Sequence, residues 1–208
     1  MEILISRTAF PVQALGPGTR AAIWLQGCSI RCAGCVAQDT WGTPASSRRQ
    51  VDEVLDWLAC LDEVDGVTIS GGEPTDQPEA LQALISGIRR TRPAADILVY
   101  TGRPTSWVLG DGRPSIAGAD AVITEPFVRT EAGYLPLRGS DNQQLLALTP
   151  LGRSRYVDTA LPDRRRIQVD VVDGEIRMIG IPTPGVLAEL GRRAAAAGLS
   201  LRGTSWQD

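Results

Sequence analysis

An α/β fold on a parallel sheet is what this 208-residue sequence predicts. The sheet is expected to curl into a partial parallel (β/α) barrel, followed by a C-terminal β-hairpin plus helix extension. Three observations predict it. Short apolar runs ending near glycine recur between Thr19 and Thr124. Stripes at i, i+3, i+4 and i+7 lie between them. Two alternating runs then flank Asp173-Gly174, a strong hairpin signal.

The elements follow in order. Thr19 to Leu25 is a buried-strand candidate, and a cysteine-rich loop follows it directly. Val51, Val54, Leu55 and Leu58 form one helical face, with Ser47 and Gln50 as a candidate capping box. Val67 to Ser70 reads as a strand running into Gly71-Gly72. Pro78 opens the next helix, whose stripe is Leu81, Leu84, Ile85 and Ile88. Ile97 to Thr101 is a strand, Ser106 to Leu109 a short helix, and Ala121 to Thr124 another strand. Residues 128–165 are polar and turn-rich. Ile167 to Val172 and Glu175 to Ile181 form the hairpin arms. Thr183-Pro184 starts a last helix with Leu187, Leu190 and Ala194 on one face and Gly198 as its stop. Leu199 to Arg202 is a final strand candidate. Residues 1–150 are therefore expected to form the core, with 151–208 as an extension packed on it.

Composition narrows the chemistry. Hydrophobic residues make up 43% and charged ones 22%, as in an ordinary globular protein. All 21 basic residues are Arg; the chain has neither Lys nor His. Ser-His-Asp and Cys-His sites, His-based zinc motifs, lysine Schiff bases and a P-loop lysine are thereby excluded. The net charge of −3 argues against nucleic-acid binding. The start, Met1 to Phe10, lacks signal-peptide character, and no apolar run approaches a membrane span, so the cytoplasm is expected.

Cys28-x3-Cys32-x2-Cys35 places three thiols on one tight loop. Soft sulfur ligands select iron–sulfur clusters or zinc. A structural zinc site normally has four ligands, and no His can supply the fourth. Three thiolates on a four-iron cluster leave one iron open to a substrate. Cys60, the remaining cysteine, falls roughly opposite the apolar stripe of its helix. It is read as a small space-filling or surface residue, with a four-cysteine zinc site as the alternative. The second motif is Ser70-Gly71-Gly72-Glu73-Pro74, one βαβ unit further on. Both motifs then lie at carboxyl ends of strands, on the rim where parallel sheets bind ligands.

The pair of motifs resembles the radical SAM superfamily. Gly16-Pro17-Gly18-Thr19-Arg20, Gly27-Cys28, Cys32-Ala33-Gly34-Cys35, Thr40-Trp41, Gln77, Tyr100-Thr101-Gly102, Pro126-Phe127 and Arg138 to Gln143 narrow it. In that order they are similar to the anaerobic ribonucleotide reductase activating proteins. Ala37, Thr124-Glu125 and Asp141 depart from the family's usual residues, and residues 155–208 extend beyond its compact members.

The resemblance implies a [4Fe-4S] cluster on Cys28, Cys32 and Cys35, and S-adenosylmethionine (SAM) held on the open iron. It implies reductive cleavage of SAM to methionine and a 5′-deoxyadenosyl radical that removes a hydrogen atom. A flavodoxin- or ferredoxin-type protein would supply the electron, and a glycyl-radical enzyme is the implied target. A small molecule or peptide is the alternative substrate, and a non-catalytic iron–sulfur or zinc module is the alternative class. Gly71, Gly72, Glu73 and Pro74 would position the methionyl amine, and Thr101 and Gly102 the ribose or carboxylate side. Glu125 reads either as a ribose ligand or as a solvated loop acid, and Trp41 as core or as adenine stacker. Arg138 reads as a SAM or target contact or as a structural residue. Arg164 to Arg166 read as a solvated turn or a docking patch.

Overall fold

The computed structural model describes residues 1–157, 167–172, 175–200 and 204–205. Seven strands form one sheet: β1 (Glu2–Val12), β2 (Arg20–Leu25), β3 (Arg48–Gln50), β4 (Gly66–Gly71), β5 (Asp96–Tyr100), β6 (Ala121–Thr124) and β7 (Gln144–Ala147). Their order is β3-β1-β2-β4-β5-β6-β7. The four central strands β2, β4, β5 and β6 run parallel. β1, β3 and β7 add antiparallel edges that the expected parallel sheet did not include. Among the described residues no ladder joins β3 to β7, so the observed architecture is a mixed α/β sheet, parallel at its centre.

The apolar runs became strands because both faces of the central sheet are covered. All six residues of β2 are buried. Ala21, Ile23 and Leu25 face the helices, whereas Ala22 and Trp24 face the other side. α1 (Val51–Ala59) and α2 (Pro78–Thr91) cover the first face. Leu81, Leu84, Ile85 and Ile88 are fully buried there, as their spacing predicts. Gly87 lets the two helices close: a Cβ there would lie 2.2 Å from a methyl of Leu55.

Several expectations shift. The capping box of α1 is Gln50 with Glu53, not Ser47 with Gln50. Pairing of β3 with β1 keeps residues 48–50 extended, which delays the helix start. β1 was not anticipated, because register shifts between Ile5 and Arg7 and between Ala9 and Val12 break its alternation. α3 (Thr105–Leu109) matches expectation, while β7 and α4 (Pro150–Arg155) lie in the stretch that reads as polar turns.

Beyond the sheet, β8 (Ile167–Val172) pairs antiparallel with β9 (Glu175–Gly180), with Val172 opposite Glu175. That is the expected hairpin; its turn at 173–174 lies outside the described residues. α5 (Val186–Ala196) starts after Gly185, later than Thr183-Pro184. Gly198, at φ +73°, ends it as expected. Leu199 and Ser200 join no ladder, and the rest of the expected last strand lies outside the described residues, as do Arg164 to Arg166. Ile179 packs with Val12, Leu15 and Trp24 on the sheet face away from α1 and α2. Gln168 fixes the same edge: its amide donates to Pro11 O at 2.7 Å and its carbonyl accepts from Gln13 N–H at 3.3 Å.

Candidate active site

The parallel strands end together on one rim, and both motifs occupy it. Gly71 adopts φ +108°, and a Cβ at Gly72 would lie 2.0 Å from the carbonyl oxygen of Gly27. Only glycines permit this approach. Two backbone bonds complete it: Gly72 N–H to Leu25 O and Glu73 N–H to Gly27 O, each 2.8 Å. The Gly-Gly-Glu-Pro turn is thus bonded to the residue that precedes Cys28.

Glu73 is 1% exposed and joins the ends of β4 and β5. Its carboxylate accepts from Thr75 N–H at 3.0 Å, Thr75 Oγ at 2.6 Å, Thr101 Oγ at 2.7 Å and Gly102 N–H at 2.8 Å. Pro74 is buried and starts the 3-10 turn that brings Thr75 back to Glu73. Gly71 to Pro74, Thr101 and Gly102 therefore form one bonded unit beside the cysteine loop.

The three thiols are free and half-buried. Each has a backbone N–H directed at sulfur. Arg31 N–H reaches Cys28 Sγ at 3.4 Å, Ala37 N–H reaches Cys35 Sγ at 3.4 Å, and a backbone bond from Phe127 meets Cys32. Burial pushes the Cys32 thiol up from its ordinary range; the Phe127 bond opposes this, and the nearby Cys28 adds to it. Burial likewise raises Cys35, opposed by Ala37 N–H and by the Trp41 side chain. Trp41, half-buried, is thus a hydrogen-bond donor to a sulfur, a role neither sequence reading gave it.

This donor set suits an iron–sulfur cluster. Backbone N–H groups directed at thiolate sulfur are a standard means of tuning such clusters. Among the described residues no three Cys, Asp or Glu side chains gather tightly enough for one metal ion. A cluster differs, since each thiolate binds a separate iron. Cys60 is exposed and follows α1 at the opposite, amino-terminal rim, about 14 Å of helix away, so it is no fourth ligand.

Other predicted residues have structural partners. Glu125, at φ +74°, accepts Thr105 N–H at 2.8 Å and so holds the start of α3. Arg138 is half-buried and directs Nε to Pro136 O at 3.4 Å. Gln143 braces the same loop, donating to Glu125 O at 3.0 Å. Sequence reading missed a ring of polar residues beside Cys28. Asp76 accepts from Ser29 N–H at 2.7 Å, Ser29 Oγ at 2.8 Å and Arg103 at 2.7 Å. Arg103 also lies 5.5 Å over the Trp107 ring. An acid two residues past Pro74 was the one signal available. Gln77 ties β1 to this ring through Leu4 N–H at 2.7 Å and Gln26 O at 3.2 Å. An open cleft of about 300 Å³ lies between Cys28, Trp41, Gln26 and Gln77.

Three clustered thiols, with the residue before the first of them bonded to a Gly-Gly-Glu-Pro turn at the carboxyl rim of the parallel strands, are the arrangement of an iron–sulfur protein. Residues 14–146 match the 4Fe-4S single cluster domain family. An activating protein of anaerobic ribonucleoside-triphosphate reductase from Escherichia coli K12 is 33% identical over 143 residues, which span 64% of this chain and 92% of that protein. The Vibrio cholerae protein of the same name is 29% identical over 150 residues, covering 67% and 96%. The counterpart in phage T4 is 26% identical, covering 64% and 87%. The chain belongs to this family of activating proteins and carries its 4Fe-4S single cluster domain. Among solved structures, QueE from Escherichia coli overlaps 49% of this chain and 53% of its own at 20% identity and a TM-score of 0.42. No helix among the described residues is long and apolar enough to cross a membrane.

Proposed function

We propose that this chain activates a glycyl-radical enzyme, with Cys28, Cys32 and Cys35 holding the cluster. The observation that carries the proposal is the bonded unit of Gly27, Gly72 and Glu73 beside the thiols. Cys28, Cys32 and Cys35 would hold the cluster, which would supply the one-electron chemistry for reductive cleavage of SAM and so for removal of a hydrogen atom from a backbone glycine of the partner.

The chain's own residues bind and orient. Glu73 is buried among neutral donors, so its charge is available to the ammonium of SAM. Gly71 and Gly72 let a ligand approach the backbone, and Pro74 fixes the turn. Thr101 and Gly102 hold the next strand end against Glu73. Glu125 sets the position of α3, and Arg138 lies on the loop that shapes the rim. No side-chain base is required, which agrees with a chain lacking His and Lys. The core chemistry belongs to residues 1–150, with 151–208 as an extension. The reductant is of flavodoxin or ferredoxin type.

The test pairs the reconstituted protein with a candidate glycyl-radical enzyme, SAM and dithionite under anaerobic conditions. The expected result is a glycyl EPR doublet on the partner and about one 5′-deoxyadenosine per radical. SAM cleavage with no glycyl signal on any such partner assigns the chain to small-molecule or peptide chemistry instead.

A further inference from the structure

The chain continues well past residue 146, where the family match ends, and it returns to the cysteine loop. The backbone carbonyl of Ser205 accepts the Gln38 N–H at 3.1 Å. Its hydroxyl donates to Val36 O at 2.7 Å. Val36 and Gln38 are the first and third residues after Cys35, and Ala37 between them donates its N–H to the Cys35 sulfur. Residue 205 therefore grips both sides of the one peptide unit that bonds this thiol.

The rest of the loop is secured from the core. Gly27 is bonded to Glu73, Ser29 to Asp76, and the Gln26 side chain to Asp39 O and Gly42 O. The extension that delivers Ser205 is itself fastened to β1 and β2 by Ile179 and Gln168.

We propose that residues 204–205 form a strap that positions the Val36-Ala37-Gln38 segment, with Ser205 as a positioning residue for Cys35. The strap fixes the direction of the Ala37 N–H through its hold on Val36 and Gln38. Its role in cluster retention rests on the function proposed above; its effect on the loop does not.

The experiment measures amide hydrogen exchange by NMR in the cluster-free full chain, in a variant ending at Gly198, and in Ser205→Ala and Ser205→Thr. The Gln38 amide is expected to exchange at least ten-fold faster in the shortened chain while the amides of β4 stay unchanged. Ser205→Ala is expected to give an increase of a few-fold, and Ser205→Thr, which keeps the hydroxyl, wild-type exchange. With cluster loaded, the shortened chain is expected to lose its iron to a chelator several-fold faster. Unchanged Gln38 exchange in a shortened chain with intact β4 protection overturns the proposal. If shortening exposes β4 as well, equal Gln38 exchange in Ser205→Ala and wild type overturns it. A chain that takes up no iron contradicts the cluster reading alone, since the exchange measurement needs no cluster.

Discussion

At the amino rim of the parallel strands Asp96 is 1% exposed, and at the carboxyl rim Glu73 is equally buried. Their surroundings differ. Asp96 meets Arg20 through bonds of 3.0 and 2.8 Å, accepts from the Tyr156 hydroxyl, and lies 3.0 Å from Arg155 Nε as an ion pair. Arg20 is fully buried and spends its remaining donors on Thr68, Pro17 and Val67. Glu73 is met by two N–H groups and two threonine hydroxyls, all neutral. The first rim neutralises its own buried charge. The second presents its buried acid to neutral donors alone. A buried acid with its own cation is a structural device; under the function proposed above, one held by neutral donors beside the thiols serves binding.

The contrast can be broken most completely at the thiols. Cys32→Ala is expected to abolish cluster uptake and all SAM cleavage, measured as bound iron and product. Melting of the cluster-free form should stay within about 0.5 kcal/mol of wild type, because the residue is half-buried and its loss strands no buried charge.

Asp96→Ala should produce the reverse. It strands the Arg20 guanidinium, and breaking a buried pair costs about 3–5 kcal/mol. Urea unfolding should show that loss, while iron content per folded molecule is kept. A loss of iron at unchanged stability would erase the distinction between the rims.

Glu73→Gln keeps the shape but removes the charge and places an amide donor opposite existing donors. Calorimetry on the cluster-loaded protein should show SAM affinity reduced about ten-fold or more. Stability should fall by about 1–3 kcal/mol from the unsatisfied donors.

Tyr156 offers a smaller effect with a defined pH sign. Burial holds its hydroxyl well above the ordinary range, with Arg20 opposing and Asp96 reinforcing. A group whose pKa is raised on folding contributes stability that is present below its unfolded pKa of about 10 and is lost as pH rises through the folded value. Stability of the wild type against urea should therefore fall above about pH 10. Tyr156→Phe should start about 1 kcal/mol lower at neutral pH and lack that alkaline loss.

The smallest effect is expected at Arg192, whose exposed pair with Glu189 on α5 belongs to neither rim. Arg192→Ala should shift urea stability by less than about 0.5 kcal/mol.

Much of this arrangement is legible in the sequence, and the reasons for the exceptions are physical. β2, β4, β5 and β6 announce themselves because both faces are covered, so each is a nearly continuous apolar run. β1 hides because two register shifts destroy its alternation. β7 hides because its residues are only partly buried in a polar stretch. The thiols and the Gly-Gly-Glu-Pro turn are legible because their spacing is local. The Ser29, Asp76 and Arg103 ring is not, since partners 47 and 27 residues apart leave no pattern along the chain. Glu125 was readable as a rim acid, but its hold on α3 depends on a left-handed backbone that no neighbouring residue signals.

The central claim is that the carboxyl rim binds a cluster and SAM productively. Anaerobically reconstituted protein, given dithionite and SAM, tests it by product analysis. The account predicts close to four irons per chain and 5′-deoxyadenosine with methionine in equal amounts. Protein that carries its full iron yet forms no 5′-deoxyadenosine would contradict it.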